Sequence, residues 1–248
     1  MEIYSAPLYY EIAFSFFDVK KQIDLFERFI RKYSKIKVKR VLDIACGPSL
    51  QLREMAKRGY ECVGLDVSLA MLNYLKQKAK EQGIEIETIK ADMINFKLKK
   101  KIDFAFIMMG SFAFKDNQEL LRHLDCVANA LKSGGLYLIE NMRLDWVSFK
   151  PQTWVMKKNR ISVKARYEPK PIDAIAQKFE DLLTFEVHHH NKKLKLQERE
   201  ILKVVYPQEF LALLKLNGKF KFLGWFERYR FRKLAKGSNN NIVLLRRK

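Results

Sequence analysis

The nine residues VLDIACGPS at positions 41–49 read as a short buried strand that runs straight into a loop of small residues. A glycine at position 47 of such a loop lets backbone N–H groups approach a ligand where any Cβ would obstruct. Working outward, CVGLDVS at 62–68 is a second apolar run, and it ends on Asp66, nineteen residues beyond Gly47. Helical segments near 49–58 and near 68–82, the latter beginning at Ser68, separate and follow these strands. The alternation continues with strands IEIETIKAD (84–92) and KIDFAFIMMG (101–110), a helix over 117–132, the turn LKSGG (131–135) and the strand GLYLIEN (135–141). Near-continuous apolar strands alternating with amphipathic helices specify a parallel sheet covered on both faces.

Upstream, Leu8, Ile12, Phe16, Ile23, Phe26 and Ile30 recur at mostly helical spacing, which predicts one or two helices over 8–33. Downstream of about Met142 the pattern changes. Ile161, Val163, Ala165 and Tyr167 alternate with Ser162, Lys164, Arg166 and Glu168, the period-2 signature of a half-solvated strand. Runs at 176–189 and 194–206 flank the polar turn at 190–193 and predict a hairpin. Pro207 opens a helix that Gly218 closes, and 219–227 and 240–248 read as two final strands. The pattern predicts an α/β fold, a doubly wound sheet with an antiparallel β insertion before the last helix and strands. Its parts are 1–145 (N-terminal helices and α/β core), 146–206 (the antiparallel insertion) and 207–248 (final helix and last two strands).

Composition bounds the function. Of 248 residues 48% are hydrophobic and 31% charged, enough to bury a core and too apolar for a disordered chain. Three cysteines, Cys46, Cys62 and Cys126, lack C-x-x-C spacing, which argues against a disulfide framework and for a reducing, cytoplasmic location. The first twenty residues carry Glu2, Glu11 and Asp18, lack a basic leader, and predict neither export signal nor membrane anchor. The formal net charge is +20, and residues 141–248 contribute +15 of it. Such a field attracts nucleic acid, anionic membrane or acidic small molecules, or reflects a lysine-rich surface tuned for solubility or thermal stability.

Asp66, at the end of the second strand, is placed to accept both hydroxyls of a ribose. A dinucleotide site would need G-x-G-x-x-G, but those positions are Ala45, Gly47 and Leu50, and no G-x-x-x-x-G-K-[ST] loop occurs. A cofactor with adenosine and without phosphates fits better.

At this point the sequence resembles the class I S-adenosylmethionine-dependent methyltransferases. VLDIACGPS resembles their first motif, CVGLDVS their second, ADM (91–93) their adenine motif, IDFAFIMMGSF (102–112) their fourth-strand motif, and LKSGGLYLIE (131–140) the strand after their usual turn. The resemblance implies a Rossmann-like seven-stranded sheet whose last strand inserts antiparallel, with S-adenosyl-L-methionine across the carboxyl ends of the first strands, so that 1–145 would be the cofactor-binding core and 146–206 a cap over substrate. It also implies roles residue by residue. Asp43, Ala45 and Gly47 would shape the pocket for the methionine moiety. Asp66 would bind the ribose diol, and Val67 and Met71 would line the adenine. Asp92 would accept the adenine amino group beside Met93. Met109, Gly110 and Ser111 would sit beneath the sulfonium, and Tyr10 would close over it, where an aromatic face attracts a cation and excludes water. Glycine usually stands where this chain has Ala45 and Ser49, a departure that predicts strain at a positive φ and weaker affinity.

The resemblance further implies a methyl acceptor of small-molecule type, with RNA methylation or S-adenosylmethionine binding without turnover as alternatives. Trp154, Tyr167, Trp225 and Tyr229 are available to stack on RNA bases, but the place of the base-amine signature reads MMGS. The expected assembly is a monomer or homodimer without membrane contact. No residue stands out as the catalytic base. His188, His189 and His190 cannot chelate one ion together, because neighbours on a strand point to opposite faces, so no metal is expected. His189 shares a face with Leu183, Phe185 and Val187 and is the candidate nearest a substrate, whereas His123 and Met108 read as core.

Overall fold

The computed structural model describes residues 2–144 and 150–248. A 3-10 turn (Ile3–Ser5) precedes helices α1 (Pro7–Ala13) and α2 (Val19–Tyr33). The alternating core follows as β1 (Arg40–Ile44), α3 (Leu50–Lys57), β2 (Glu61–Asp66), α4 (Leu69–Glu81), β3 (Ile86–Lys90), β4 (Ile102–Ile107), α5 (Asn117–Ala130) and β5 (Leu131–Glu140). Four antiparallel strands come next: β6 (Gln152–Lys158), β7 (Ile161–Asp173), β8 (Lys178–His189) and β9 (Lys192–Lys203). Helix α6 (Pro207–Asn217) and strands β10 (Phe220–Glu227) and β11 (Asn241–Arg247) complete the chain.

The main sheet has the order β10-β11-β5-β4-β1-β2-β3. All neighbours from β5 to β3 are parallel, and β11 runs antiparallel to both β10 and β5. This is the doubly wound sheet that the sequence pattern predicts, with the inverted last strand that the resemblance implies. Period-2 geometry sends Leu42, Ile44, Ala105 and Ile107 to one face, where α5 and α6 bury Leu120, Leu124 and Phe210 against them. It sends Val41, Phe104 and Phe106 to the other, beneath Phe26 and Phe29 of α2 and Leu52 of α3. Ser68 caps α4 by accepting from the Met71 N–H at 3.3 Å, and Gly218 ends α6 at φ 71°, a left-handed conformation that glycine adopts without steric cost.

The second sheet has the order β6-β7-β8-β9. Strand β6 goes beyond the sequence reading, because QTWVMKK is short and is fixed as a strand by pairing with β7. The expected helix over 117–132 stops at Ala130, since Leu131 already belongs to β5. The expected boundary at 145/146 lies outside the described residues. One face of the second sheet packs Val163, Ala165, Phe185, Val187 and Leu196 on Ile3, Ile12 and Ala13. Farther along the same face the side chains look into a cavity. No helix among the described residues is long and apolar enough to cross a membrane.

Candidate functional site

The loop after β1 is wound through three positive φ angles, Ala45 at 53°, Gly47 at 51° and Ser49 at 26°. Ser49 stands where the sequence resemblance leads one to expect glycine, and its hydroxyl accounts for the exchange. Its Oγ accepts from the Leu52 N–H at 3.0 Å, capping α3, and donates to Asp43 Oδ2 at 2.6 Å. The loop is tied to β2 by the Cys46 N–H, which donates to the Leu65 carbonyl at 3.0 Å. It is tied again by Asp66, whose Oδ2 accepts from the Gly47 N–H at 2.7 Å and whose Oδ1 accepts from the Ser68 N–H at 2.8 Å. Asp66 is 8% exposed, and burial holds its carboxyl above the ordinary range despite these donors.

Helix α1 lies over this loop. A methyl group added at Gly47 would sit 3.9 Å from Tyr10 Cε1, so the tyrosine ring covers the turn at van der Waals distance. The next residue, Glu11, is buried in an ion pair with Arg53 of α3 and reaches Lys158 of β6 at 3.6 Å. These contacts fix the N-terminal helix between the two sheets.

Between the loop, α1 and the second sheet lies a cavity of about 710 Å³. The structure brings eleven of the twelve sequence-predicted residues to its wall: Tyr10, Ala45, Gly47, Asp66, Val67, Met71, Asp92, Met93, Met109, Gly110 and Ser111. Asp43 lines a neighbouring recess of about 50 Å³, which shares Tyr10, Ala45, Gly47, Met109 and Ser111 with the cavity. Asp92 accepts from the Ile94 N–H through Oδ1 at 3.0 Å. The carbonyl of Met93 is held by His123 Nδ1 at 2.9 Å, and His123 Nε2 meets the Tyr137 hydroxyl at 2.7 Å. A carbonyl can only accept, so the imidazole proton is on Nδ1 and Tyr137 donates to Nε2. Burial lowers the His123 pKa to about 4, and the ring works as a neutral strut under Met93.

The loop after β4 turns through Met109 (φ 58°) and Gly110 (φ 78°). It is held by Glu140 at the end of β5, whose Oε2 accepts from the Met109 N–H at 2.7 Å and whose Oε1 accepts from Arg228 Nε. Sequence reasoning missed Glu140, although its signal matched that of Asp66: a carboxylate at the carboxyl end of an apolar strand. His189 takes a different place from the substrate-facing one the sequence allowed. It is half-buried, its Nδ1 lies 3.0 Å from the Tyr9 hydroxyl, and it packs on α1. His188 and His190 are exposed.

Burial raises the pKa of Tyr10 and of Cys46, and the neighbouring Asp66 carboxylate pushes both further up. The loop therefore sits in a negative field, and residues 45–49 carry no basic side chain to offset it. Such a field repels a pyrophosphate and favours a ligand with a positive centre. The donor set fits S-adenosylmethionine: an acceptor carboxylate at the end of β2, with apolar Met71 and Met93 beside it in the cavity wall.

The field has a measurable signature. Burial pushes the Asp43 carboxyl up to about 8, against the hydrogen bond from Ser49, which lowers it. Between about pH 4 and 8 the folded chain holds this proton while the unfolded chain has released it, so the aspartate costs stability as pH rises through that window. We expect the decline in Tm between pH 5 and 8 to be smaller in Asp43→Asn than in the parent, read by thermal denaturation. Identical slopes would contradict a buried, proton-holding Asp43.

Comparison with known proteins places this geometry. Residues 41–135 match the family model described as a methyltransferase domain. The ubiquinone biosynthesis O-methyltransferase of Nitrosococcus oceani is 27% identical over 110 residues, which are 44% of this chain and 43% of that protein. The chain thus matches less than half the length of that curated relative. Among solved structures, an S-adenosylmethionine-dependent methyltransferase from Clostridium acetobutylicum superposes with a TM-score of 0.80 at 19% identity, covering 96% of both chains. An amino pentose methyltransferase from Micromonospora echinaspora, solved with S-adenosylmethionine bound, gives 0.74 at 15% identity, again over 96% of both.

Proposed function

We propose, on the premise that residues 41–135 form a methyltransferase domain of the class I fold, that the chain binds S-adenosylmethionine and methylates a small molecule. The observation that carries this reading is the joint grip of Asp66 on Gly47 and Ser68, which presents a buried carboxylate and a covered turn to one adenosyl-sized space. S-adenosylmethionine supplies there a methyl group already activated on a sulfonium. The chain's own task is to hold and align the partners and to exclude water, and near-attack alignment contributes ~7–11 kcal/mol to such reactions.

In this reading Asp66 binds the ribose diol, and Val67, Met71, Asp92 and Met93 enclose the adenine. Asp43, Ala45 and Gly47 hold the methionine end. Met109, Gly110 and Ser111 line the transfer point, and Tyr10 shields it from solvent. The second sheet is the substrate cap. The cavity volume suits a cofactor together with a small acceptor, since ligand sites commonly measure ~300–1,000 Å³. The three free cysteines fit a reducing compartment such as the cytoplasm. The names of the structural neighbours, one an amino pentose methyltransferase, support a small acceptor.

The test is incubation with methyl-labelled S-adenosylmethionine and a cell extract, followed by separation of metabolites, RNA and protein. Label in the metabolite fraction is the expected result. Label confined to RNA would shift the function to the basic surface, and bound cofactor without any labelled product would make the chain a non-catalytic binder.

A further inference from the structure

The wall of the cavity facing the cofactor loop is acidic, in a chain whose net charge is +20. Asp181 of β8 and Glu198 and Glu200 of β9 all line it. Asp181 and Glu200 are directly paired across the ladder, and Leu183 pairs with Glu198. Period-2 geometry therefore puts the three carboxylates on one face, the face that farther along packs against α1. Like charges opposite one another destabilise a sheet, so a basic protein that keeps them there has a use for the negative potential.

Their neighbours leave that potential partly unsatisfied. Arg143 bridges Asp181 Oδ2 at 2.9 Å, the Tyr167 hydroxyl faces Asp181 and the Ile3 N–H faces Glu198, yet Asp181 Oδ1 and Glu198 Oε2 are buried with no partner in good hydrogen-bond geometry. Lys115 offsets Glu200, and Glu2 and Tyr4 also face the group. Partial desolvation in the wall raises the pKa of all three acids, reinforced at Glu198 by Glu2 and Glu200 and at Glu200, the exposed member of the group, by Asp181. An ionised acid in such a place accepts protons readily.

We propose that the methyl acceptor carries an amine that is protonated at neutral pH, and that Asp181, Glu198 and Glu200 recognise it. This rests on the methyltransferase reading and names the substrate class of the same site. An ammonium group donates hydrogen bonds to the open carboxylate oxygens, and its charge offsets the repulsion between Asp181 and Glu200. Transfer of one N–H proton to a carboxylate turns ammonium and carboxylate into neutral amine and carboxylic acid, so the lone pair is free while the proton stays in the wall. Acceptors that present a carboxylate or phosphate at this wall are excluded by the same charges.

The test titrates the protein, saturated with S-adenosylhomocysteine, with two matched series by calorimetry: tyramine, p-cresol and 4-hydroxyphenylacetate, and glucosamine, glucose and glucuronate. The expected result is that the amine of at least one series binds 10-fold or more tightly than its neutral and acidic counterparts. That preference is expected to vanish in Glu198→Gln/Glu200→Gln, whose affinity for S-adenosylhomocysteine is unchanged. Equal binding across both series, no amine binding, or a preference that survives in the double variant overturns the proposal. Failure to bind S-adenosylhomocysteine would instead count against the methyltransferase reading itself.

Discussion

Replacing Asp66 with alanine is expected to weaken S-adenosylmethionine binding at least 100-fold and to abolish the thermal stabilisation that the cofactor gives the parent protein. The carboxylate is assigned two ribose hydroxyls, and hydrogen bonds to a charged group contribute about 1.5–3 kcal/mol each. It also orders the turn itself, through the Gly47 and Ser68 N–H groups. Asp66→Asn separates the two roles. The amide keeps the size and one acceptor but turns an N–H₂ toward a backbone donor, so it too is expected to lose most of the affinity. A ligand at 100 times its Kd raises stability by about 2.7 kcal/mol, an effect that a thermal shift reads directly. Unchanged stabilisation in Asp66→Ala would remove the ribose assignment and with it the proposed orientation of the cofactor.

The largest effect on stability is expected at Glu140→Ala. Glu140 is almost fully buried at the end of β5, paired with Arg228, and it holds the Met109 N–H. Removing one partner of a buried ion pair leaves an uncompensated charge and costs about 3–5 kcal/mol. For a chain of this size that lowers Tm by roughly 6–20 °C. The double variant Glu140→Met/Arg228→Met is expected to recover much of the loss, because removing both charges leaves none unpaired. A urea midpoint for Glu140→Ala equal to that of the parent would show that the pair does not behave as a buried one.

The central sheet was legible because β1, β2, β4 and β5 are near-continuous apolar runs bounded by small or polar residues, whereas the edge strand β3 alternates Ile86 and Ile89 with Glu87 and Lys90. The tight loop after β1 was legible because such a turn requires glycine, and because Asp66, which holds it, ends the next strand. Ser49 looked like a defect. Its hydroxyl in fact satisfies Asp43 and the first turn of α3 together, a function that spacing along the chain does not reveal. The acidic wall was hidden for another reason. Asp181 and Glu200 are separated by a hairpin, lie in the most basic part of the chain, and meet only once β8 and β9 are in register. Strand β6 was hidden because it is only seven residues long; Thr153, Trp154 and Val155 favour an extended chain, and pairing with β7 fixes it as a strand. His189 alternates with its apolar neighbours as the sequence suggests, yet the approach of α1 gives it to Tyr9.

The position of β11 between β5 and β10 has a consequence for biosynthesis. The apolar edge of β5 is completed only by residues 242–246, about a hundred positions farther on. At a synthesis rate of ~5–20 residues per second, that edge waits unpaired for roughly 5–20 s after it leaves the ribosome. During that interval Leu136, Leu138 and Ile139 form a sticky template for other nascent chains. Chaperone capture of translation intermediates stalled before residue 241 is the cellular trace this topology should leave.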